Sequence, residues 1–117
     1  MADVTLLHHP KCSTSRHALE VIEASGVDSE VVQYLKTPLD ETALRQLIGR
    51  LEDPVTDLVR RDPYFKAQGL TDADVQTEDQ VVAVLTEHPR LMQRPVIVRG
   101  ERAIIGRPKD RVEEFVS

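Results

Sequence analysis

The 117-residue sequence predicts an α/β fold with a mixed four-stranded sheet, ordered as βαβ, then a helical insertion, then ββα. Three observations lead to this prediction. Apolar runs of strand length lie near both ends of the chain, helical patterns fill the middle, and glycine or proline marks many boundaries. A strand, helix, strand order favours a right-handed unit with parallel strands. We therefore expect one domain over residues 1–117, with the helical insertion at about residues 38–89.

The βαβ unit is predicted from the N-terminal third of the chain. Residues 4–8 are short, mostly apolar and bounded by Pro10, which is typical of a buried strand. Residues 13–25 carry an apolar stripe at helical spacing, and Gly26 provides a common C-terminal stop. Residues 30–35 have the composition of a second strand.

The insertion is predicted to be helical. A first helix opens at residues 37–38, where a threonine can cap it and a proline fits the first turn. Residues 55–61 form a short helix that Pro63 limits. Thr71 and Thr77 each begin a pattern typical of a helix start.

The ββα end of the chain contains the remaining two strands. Residues 95–99 and 102–105 are apolar runs separated by the turn at Gly100, which predicts an antiparallel hairpin. A final helix is expected over residues 109–116.

Composition excludes several classes of function. A net charge of −5 argues against general nucleic-acid binding, and no apolar run is long enough to span a bilayer. A single cysteine rules out an internal disulfide and an all-cysteine metal site. The N-terminus lacks the pattern of a secretory signal. We expect a cytoplasmic location, no nucleic-acid or membrane partner, and no bound metal or cofactor.

Cys12 is the candidate nucleophile. It lies between a predicted strand and a predicted helix, so its thiol would meet the N–H groups and the positive dipole end of that helix. Such a position favours the thiolate and can also hold an oxyanion. Ser13, Thr14 and Ser15 add hydroxyl groups, and Arg16 adds positive potential. The simpler alternatives are a small buried hydrophobic cysteine and hydroxyls that only cap the helix.

His8 is a second candidate, at the end of the first predicted strand. If protonated, it could stabilise the Cys12 thiolate. Equally, it could be a polar residue at a strand end that only forms a hydrogen bond. The other histidines, at positions 9, 17 and 88, have no convincing metal-ligand spacing with the cysteine.

Three arginines stand at notable positions, and none of them taken alone is specific for an anion site. Arg60 falls near the end of a predicted short helix, where a cation interacts favourably with the dipole, so helix capping is its simpler explanation. Arg94 precedes Pro95 at a position where the peptide bond could be cis. Arg107 precedes Pro108 at a helix start, where an arginine gains nothing from the dipole.

Together these residues resemble a known family. The sequence resembles the glutaredoxin-coupled arsenate reductases, often called ArsC-like, over nearly the whole chain. The matching positions are His8-x-Pro10-x-Cys12-x-Thr14-Ser15-Arg16, Tyr34-Leu35-x-x-Pro38, Arg60, Gly69-Leu70, His88-Pro89, Arg94-Pro95 and Arg107-Pro108. The family has a thioredoxin-like fold with a helical insertion, in agreement with the predicted order of elements.

The resemblance implies an arsenate reductase. It implies that Cys12 attacks arsenate to form a thiol–arsenate adduct, with His8 near the nucleophile. It also implies that Arg60, Arg94 and Arg107 hold the oxyanion, for which guanidinium donors are well suited. An external small thiol, typically glutathione, then attacks the adduct, and glutaredoxin completes reduction to arsenite. The expected partners are therefore arsenate or a similar oxyanion, a small thiol as co-substrate, and glutaredoxin.

Two other functions stay open. Redox-sensing regulators of the same superfamily bind RNA polymerase and usually carry a Cys-x-x-Cys pair, but Ser15 stands at the second of these positions. A polymerase-binding module without a dithiol switch is therefore one alternative. The other is a general monothiol oxidoreductase that acts on glutathione mixed disulfides.

Overall fold

Two central strands organise a four-stranded mixed sheet. In the computed structural model, which describes residues 3–117, β1 (Val4–His8) pairs in parallel with β2 (Ser29–Gln33). β1 also pairs antiparallel with β3 (Val96–Arg99), and β3 forms a hairpin with β4 (Arg102–Ile105). The strand order is therefore β2-β1-β3-β4, which confirms the predicted α/β class and mixed sheet. Met1 and Ala2, where the predicted domain begins, lie outside the described residues.

Helices connect and cover these strands. Every element between β2 and β3 is helical, as the predicted insertion requires. The α-helices are α1 (Ser13–Ser25), α2 (Glu41–Arg50), α3 (Pro63–Ala67), α4 (Glu78–Glu87) and α5 (Asp110–Val116), and the 3₁₀ turns are Val55–Leu58, Asp72–Val75 and Pro89–Leu91. Among residues 3–117, no helix combines the length and the apolar composition needed to cross a bilayer.

The sheet separates two hydrophobic clusters because alternate strand residues point to opposite faces. Leu6 and Ile97 are fully buried and pack with residues of α1 and α5 on one face. Leu7 and Val96, their neighbours along the strands, pack with residues of the helical insertion on the other face. The sheet is therefore covered on both sides, which fixes the register of its two central strands.

The insertion differs from the prediction at two helix starts. The first helix begins at Glu41 rather than at residues 37–38, because the Asp40 side chain accepts a hydrogen bond from the Ala43 N–H (2.8 Å). Thr37 belongs instead to a turn in which its N–H donates to the Gln33 carbonyl (3.0 Å). Proline is tolerated at the first helical position because its missing N–H would have no partner within the helix, so a helix could have started at Pro38. The observed start is instead the one whose cap, Asp40, accepts a hydrogen bond from the first turn.

Pro63 also has a different role from the one predicted. It begins α3, which Asp62 caps by accepting a hydrogen bond from the Phe65 N–H (3.0 Å). The preceding short helix is a 3₁₀ turn that ends at Leu58, earlier than predicted. Arg60 therefore lies in a connection between two helical elements and does not cap a helix.

Candidate active site

Cys12 caps α1 at the end of the loop that follows β1. Its backbone is extended (φ −93°, ψ 121°), and its carbonyl accepts the first helical hydrogen bond, from the Arg16 N–H (2.9 Å). The thiol is therefore at the positive end of a 13-residue helix, as predicted, and it is partly exposed rather than sealed in the core. A reactant can reach the sulfur from solvent.

Opposing effects set the pKa of the Cys12 thiol, and their sum lowers it. Partial burial raises the pKa, whereas the Ser15 N–H, the Arg94 side chain and the Thr14 N–H all lower it. The two N–H groups act from the first turn of α1 without reaching full hydrogen-bond geometry to the sulfur. The net effect is a larger thiolate fraction at neutral pH than an ordinary cysteine has.

Arg107 also contacts the sulfur. Its Nη2 lies 3.6 Å from Cys12 Sγ, and its Nε donates to the Arg94 carbonyl oxygen (2.8 Å). The preceding residue, Gly106, packs closely against Pro95 because it has no side chain: a Cβ there would lie only 2.7 Å from Pro95 Cγ. The Gly106 N–H also donates to the Pro95 carbonyl (2.8 Å), which joins the two arginine-bearing segments.

Backbone pairing places Arg60 and Arg94 on adjacent segments. The Arg60 N–H donates to the Leu91 carbonyl (2.8 Å), and the Gln93 N–H donates to the Leu58 carbonyl (2.7 Å). Neither arginine side chain is fully paired: Arg60 Nε and Arg94 Nε are buried and have no hydrogen-bond partner among the described residues. Unpaired buried donors are rare because they lose hydration without compensation. They are expected where a ligand supplies the acceptor.

The three guanidiniums are close enough to repel one another. Burial lowers the pKa of Arg60, and the charges of Arg94 and Arg107 lower it further. Asp62 opposes this lowering, and its Oδ2 lies 3.6 Å from Arg60 Nε. Such a cluster of like charges is stabilised by a bound anion.

His8 contacts Ser15 rather than the sulfur. Its Nδ1 lies 2.7 Å from Ser15 Oγ, and the same hydroxyl accepts from the His9 N–H (3.0 Å). Burial, and secondarily the charge of Arg16, lower the pKa of His8, so the ring is neutral at pH 7. This geometry favours the hydrogen-bonding alternative over a protonated histidine that stabilises the thiolate.

The remaining predicted residues of the helix start occupy different environments. Ser15 is fully buried, Thr14 is half-buried, and Ser13 and Arg16 are exposed. Arg61, the neighbour of Arg60 in sequence, has different partners: it pairs with Asp72 (3.1 Å) and donates to backbone carbonyls. Its role is structural.

Comparison with known proteins decides the family. A family model described as the ArsC family matches residues 7–115.

The chain belongs to the ArsC family.

Relatives within this family match almost the entire chain. The uncharacterized protein YfgD of Escherichia coli K12 is 36% identical over 97% of this chain and 96% of its own length. An arsenate reductase of Escherichia coli is 36% identical over 99% of this chain and 82% of its own length. The solved structure of an arsenate reductase from Vibrio cholerae has a TM-score of 0.84 and 34% identity, and the match covers 97% of both chains. The ArsC fold predicted from the sequence is therefore confirmed.

Both X-Pro peptide bonds beside the arginines are cis in this ArsC-family chain. The sequence predicted this geometry as a possibility at Arg94–Pro95, and it is confirmed there. The second cis bond, Arg107–Pro108, was not predicted.

One polar residue at the site received no role from the sequence. Tyr34 directly follows β2, is 1% exposed, and its hydroxyl has no hydrogen-bond partner among the described residues. The position of Tyr34 directly after β2 could have indicated a place at this site. β1 and β2 are parallel and end together, at the pair His8 and Gln33, so residues that follow them share one sheet edge. Ligands of open α/β sheets bind at the carboxyl ends of strands.

A surface cleft adjoins the arginine cluster of this ArsC-family site. It has a volume of about 310 Å³, and Arg60 and Arg107 form part of its wall. Asp57, Gln93, Arg61 and Arg111 are among its other lining residues. Arg107, which also contacts Cys12, is the residue that this polar cleft shares with the surroundings of the thiol.

Proposed function

We propose that this chain is an arsenate reductase that uses an external thiol. The observation that carries the proposal is a cysteine with a lowered pKa beside three arginines, two of which have buried Nε donors without partners. A tetrahedral oxyanion supplies acceptors for those donors and relieves the repulsion among the guanidiniums. The names of the relatives in the ArsC family support arsenate as that oxyanion.

The first step is nucleophilic. The Cys12 thiolate attacks arsenic, a sulfur–arsenic bond forms, and an arsenate hydroxyl takes up a proton and leaves as water. Arginine donors stabilise the negative charge that remains on the other oxygens. The lowered pKa of Cys12 makes the attacking thiolate available near neutral pH.

The second stage needs two electrons from outside the chain. A small thiol such as glutathione attacks the adduct and bonds to arsenic, and a thiol of glutaredoxin, the proposed protein partner, then attacks that sulfur. The two sulfurs form a mixed disulfide while arsenic(V) becomes arsenic(III), and hydrolysis of the Cys12–arsenic bond releases arsenite and the Cys12 thiolate. A second molecule of the small thiol reduces the mixed disulfide. The single cysteine requires this external route, and the polar cleft beside Arg107 provides a path for the incoming thiol. A reducing cytoplasm would supply such thiols.

A coupled assay tests the proposal. NADPH oxidation is followed with glutathione, glutaredoxin and glutathione reductase, with and without arsenate, for the wild-type protein and for Cys12→Ser. We expect arsenate-dependent oxidation that the variant loses. Equal rates in the two proteins would refute the function. Turnover of a glutathione mixed disulfide without any arsenate dependence would instead identify a general monothiol oxidoreductase.

A further inference from the structure

Tyr34 has a buried hydroxyl group with no partner. The side chain is 1% exposed, and Oη has no hydrogen-bond partner among residues 3–117. The ring packs in the core, lining a small apolar cavity with Leu44, Leu85 and Met92. A phenylalanine would fill that space equally well, so packing does not explain why a hydroxyl is present.

The hydroxyl belongs to the same electrostatic environment as the reactive thiol. Burial raises the pKa of Tyr34, the guanidiniums of Arg94 and Arg60 oppose this effect, and the Cys12 thiolate adds to it. The ring also makes an edge contact with His9, with 6.4 Å between ring centroids and a 64° angle between planes. Tyr34 therefore stays protonated at neutral pH and faces the loop that leads to Cys12.

Neither nearby guanidinium can accept a hydrogen bond from the Tyr34 O–H. A guanidinium has only donors, so Arg94 can act on the Tyr34 oxygen, which lowers the pKa of Tyr34, but it leaves the hydroxyl proton without an acceptor. Arg60 Nε and Arg94 Nε are themselves donors without acceptors. The Tyr34 hydroxyl and these two Nε–H groups come from three separate segments, and all three lack an acceptor. One ligand with several acceptor oxygens satisfies all of them.

Building on the proposed function, we infer that Tyr34 is a fourth oxyanion-binding residue, which donates its O–H to an oxygen of the bound arsenate. A neutral donor adds affinity without adding to the repulsion among the three arginines. It also favours a ligand that presents an acceptor oxygen toward Tyr34. The role is direct contact with substrate rather than support of the fold.

Binding measurements test this inference. Inorganic arsenate is titrated calorimetrically into Cys12→Ser, which cannot form the adduct, and into the same protein with Tyr34→Phe. Loss of a hydrogen bond to a charged ligand should weaken binding by about tenfold or more. Tyr64→Phe is the matched control, because the Tyr64 hydroxyl is paired with His88 Nδ1 (3.0 Å). It should leave the dissociation constant unchanged.

Thermal unfolding provides an independent readout. Without arsenate, Tyr34→Phe should melt at the same or a higher temperature, because it removes a buried unpaired hydroxyl. With arsenate, the increase in melting temperature should be smaller than in the parent. A lower melting temperature without arsenate would show a structural role and overturn the inference.

The outcomes separate this inference from the proposed function. Equal arsenate affinities with and without the Tyr34 hydroxyl overturn the inference alone. Absence of arsenate binding to both proteins overturns the inference and the proposed function together.

Discussion

Arg107 links Arg94 to Cys12: its Nε donates to the Arg94 carbonyl (2.8 Å) while its Nη2 lies 3.6 Å from Cys12 Sγ. One guanidinium thus connects two loops that are distant in sequence from the nucleophile. Since Arg107 is held by a backbone acceptor, it is oriented before any ligand arrives. Such preorganisation lowers the cost of binding an anion.

The Cys12 thiol should ionise below the value of about 8.5 that is typical of a free cysteine. The rate of alkylation by iodoacetamide, measured against pH, reports its pKa. Arg94→Ala should raise the pKa, because the Arg94 side chain stabilises the thiolate. Arg45→Ala is the control, since Arg45 forms exposed ion pairs with Glu41, Glu78 and Asp79. A wild-type midpoint at or above 8.5 would contradict the prediction.

Removal of a site arginine should weaken arsenate binding. We expect Arg60→Ala, Arg94→Ala and Arg107→Ala each to cost about 1.5–3 kcal/mol of binding free energy, the usual worth of a charge-assisted hydrogen bond. The losses should not add, because removing one charge relieves repulsion between the other two. Titration of inorganic arsenate into each variant in the Cys12→Ser background measures the effect. Unchanged affinity for all three would exclude them from the site.

His8 should make stability depend on pH in a defined direction. Its pKa in the folded protein lies below the ordinary value of 6.5, so the unfolded chain binds a proton first as the pH falls. The contribution of His8 to stability is therefore present above pH 6.5 and is lost as the pH decreases through the folded pKa. The free energy of unfolding from urea titrations between pH 5 and pH 7.5 measures this.

A variant isolates the contribution of that histidine. His8→Asn keeps a polar side chain near Ser15 but has no titrating ring, so its stability should fall less steeply toward pH 5. Ser13→Ala, at an exposed position, should keep the wild-type slope. If His8→Asn also kept that slope, the ring would not be the titrating group.

Gly106→Ala should destabilise the protein and disturb the site. The added Cβ would lie 2.7 Å from Pro95 Cγ and 3.0 Å from both Ile97 Cδ1 and Val112 Cγ2. We expect a loss of about 1–3 kcal/mol in the free energy of unfolding, as for other overpacked cores. Displacement of Arg107, the next residue, should also weaken arsenate binding.

Gly49→Ala provides a control of the opposite sign. Gly49 lies in α2, and a Cβ there would have no other atom within 4 Å. Alanine should stabilise the helix by about 0.5–1 kcal/mol. Chemical denaturation of both glycine variants compares them directly, and a neutral result for Gly106→Ala would contradict the predicted close packing.

Local patterns predicted the elements that carry Cys12. The apolar run of β1 and the stripe of α1 ending at Gly26 each have one clear interpretation, and the helix bounds matched the structure. The start of α2 was harder because Thr37 and Asp40 are both good caps. The Asp40 side chain captures the Ala43 N–H, and this local competition is not visible in the pattern alone.

The roles of single polar residues depend on long-range contacts. Arg60 and Arg61 are neighbours in sequence, yet Arg60 lies near the charges of Arg94 and Arg107 while Arg61 pairs with Asp72. The Arg60 N–H pairs with the Leu91 carbonyl, whereas the Arg61 guanidinium donates to the carbonyls of Thr56 and Val59. In the sequence, Tyr34 stands out only as part of a family pattern, because the missing partner of its hydroxyl depends on residues far along the chain.

Ser15 has a consequence for how electrons reach the proposed reaction. Its hydroxyl occupies a fully buried position, fixed between the His8 ring and the His9 N–H, where regulators of the superfamily usually carry a second sulfur. The chain therefore stores no reducing equivalents from one turnover to the next. Every cycle must draw its electrons from the surrounding thiol pool, so the turnover rate should follow the redox state of that pool.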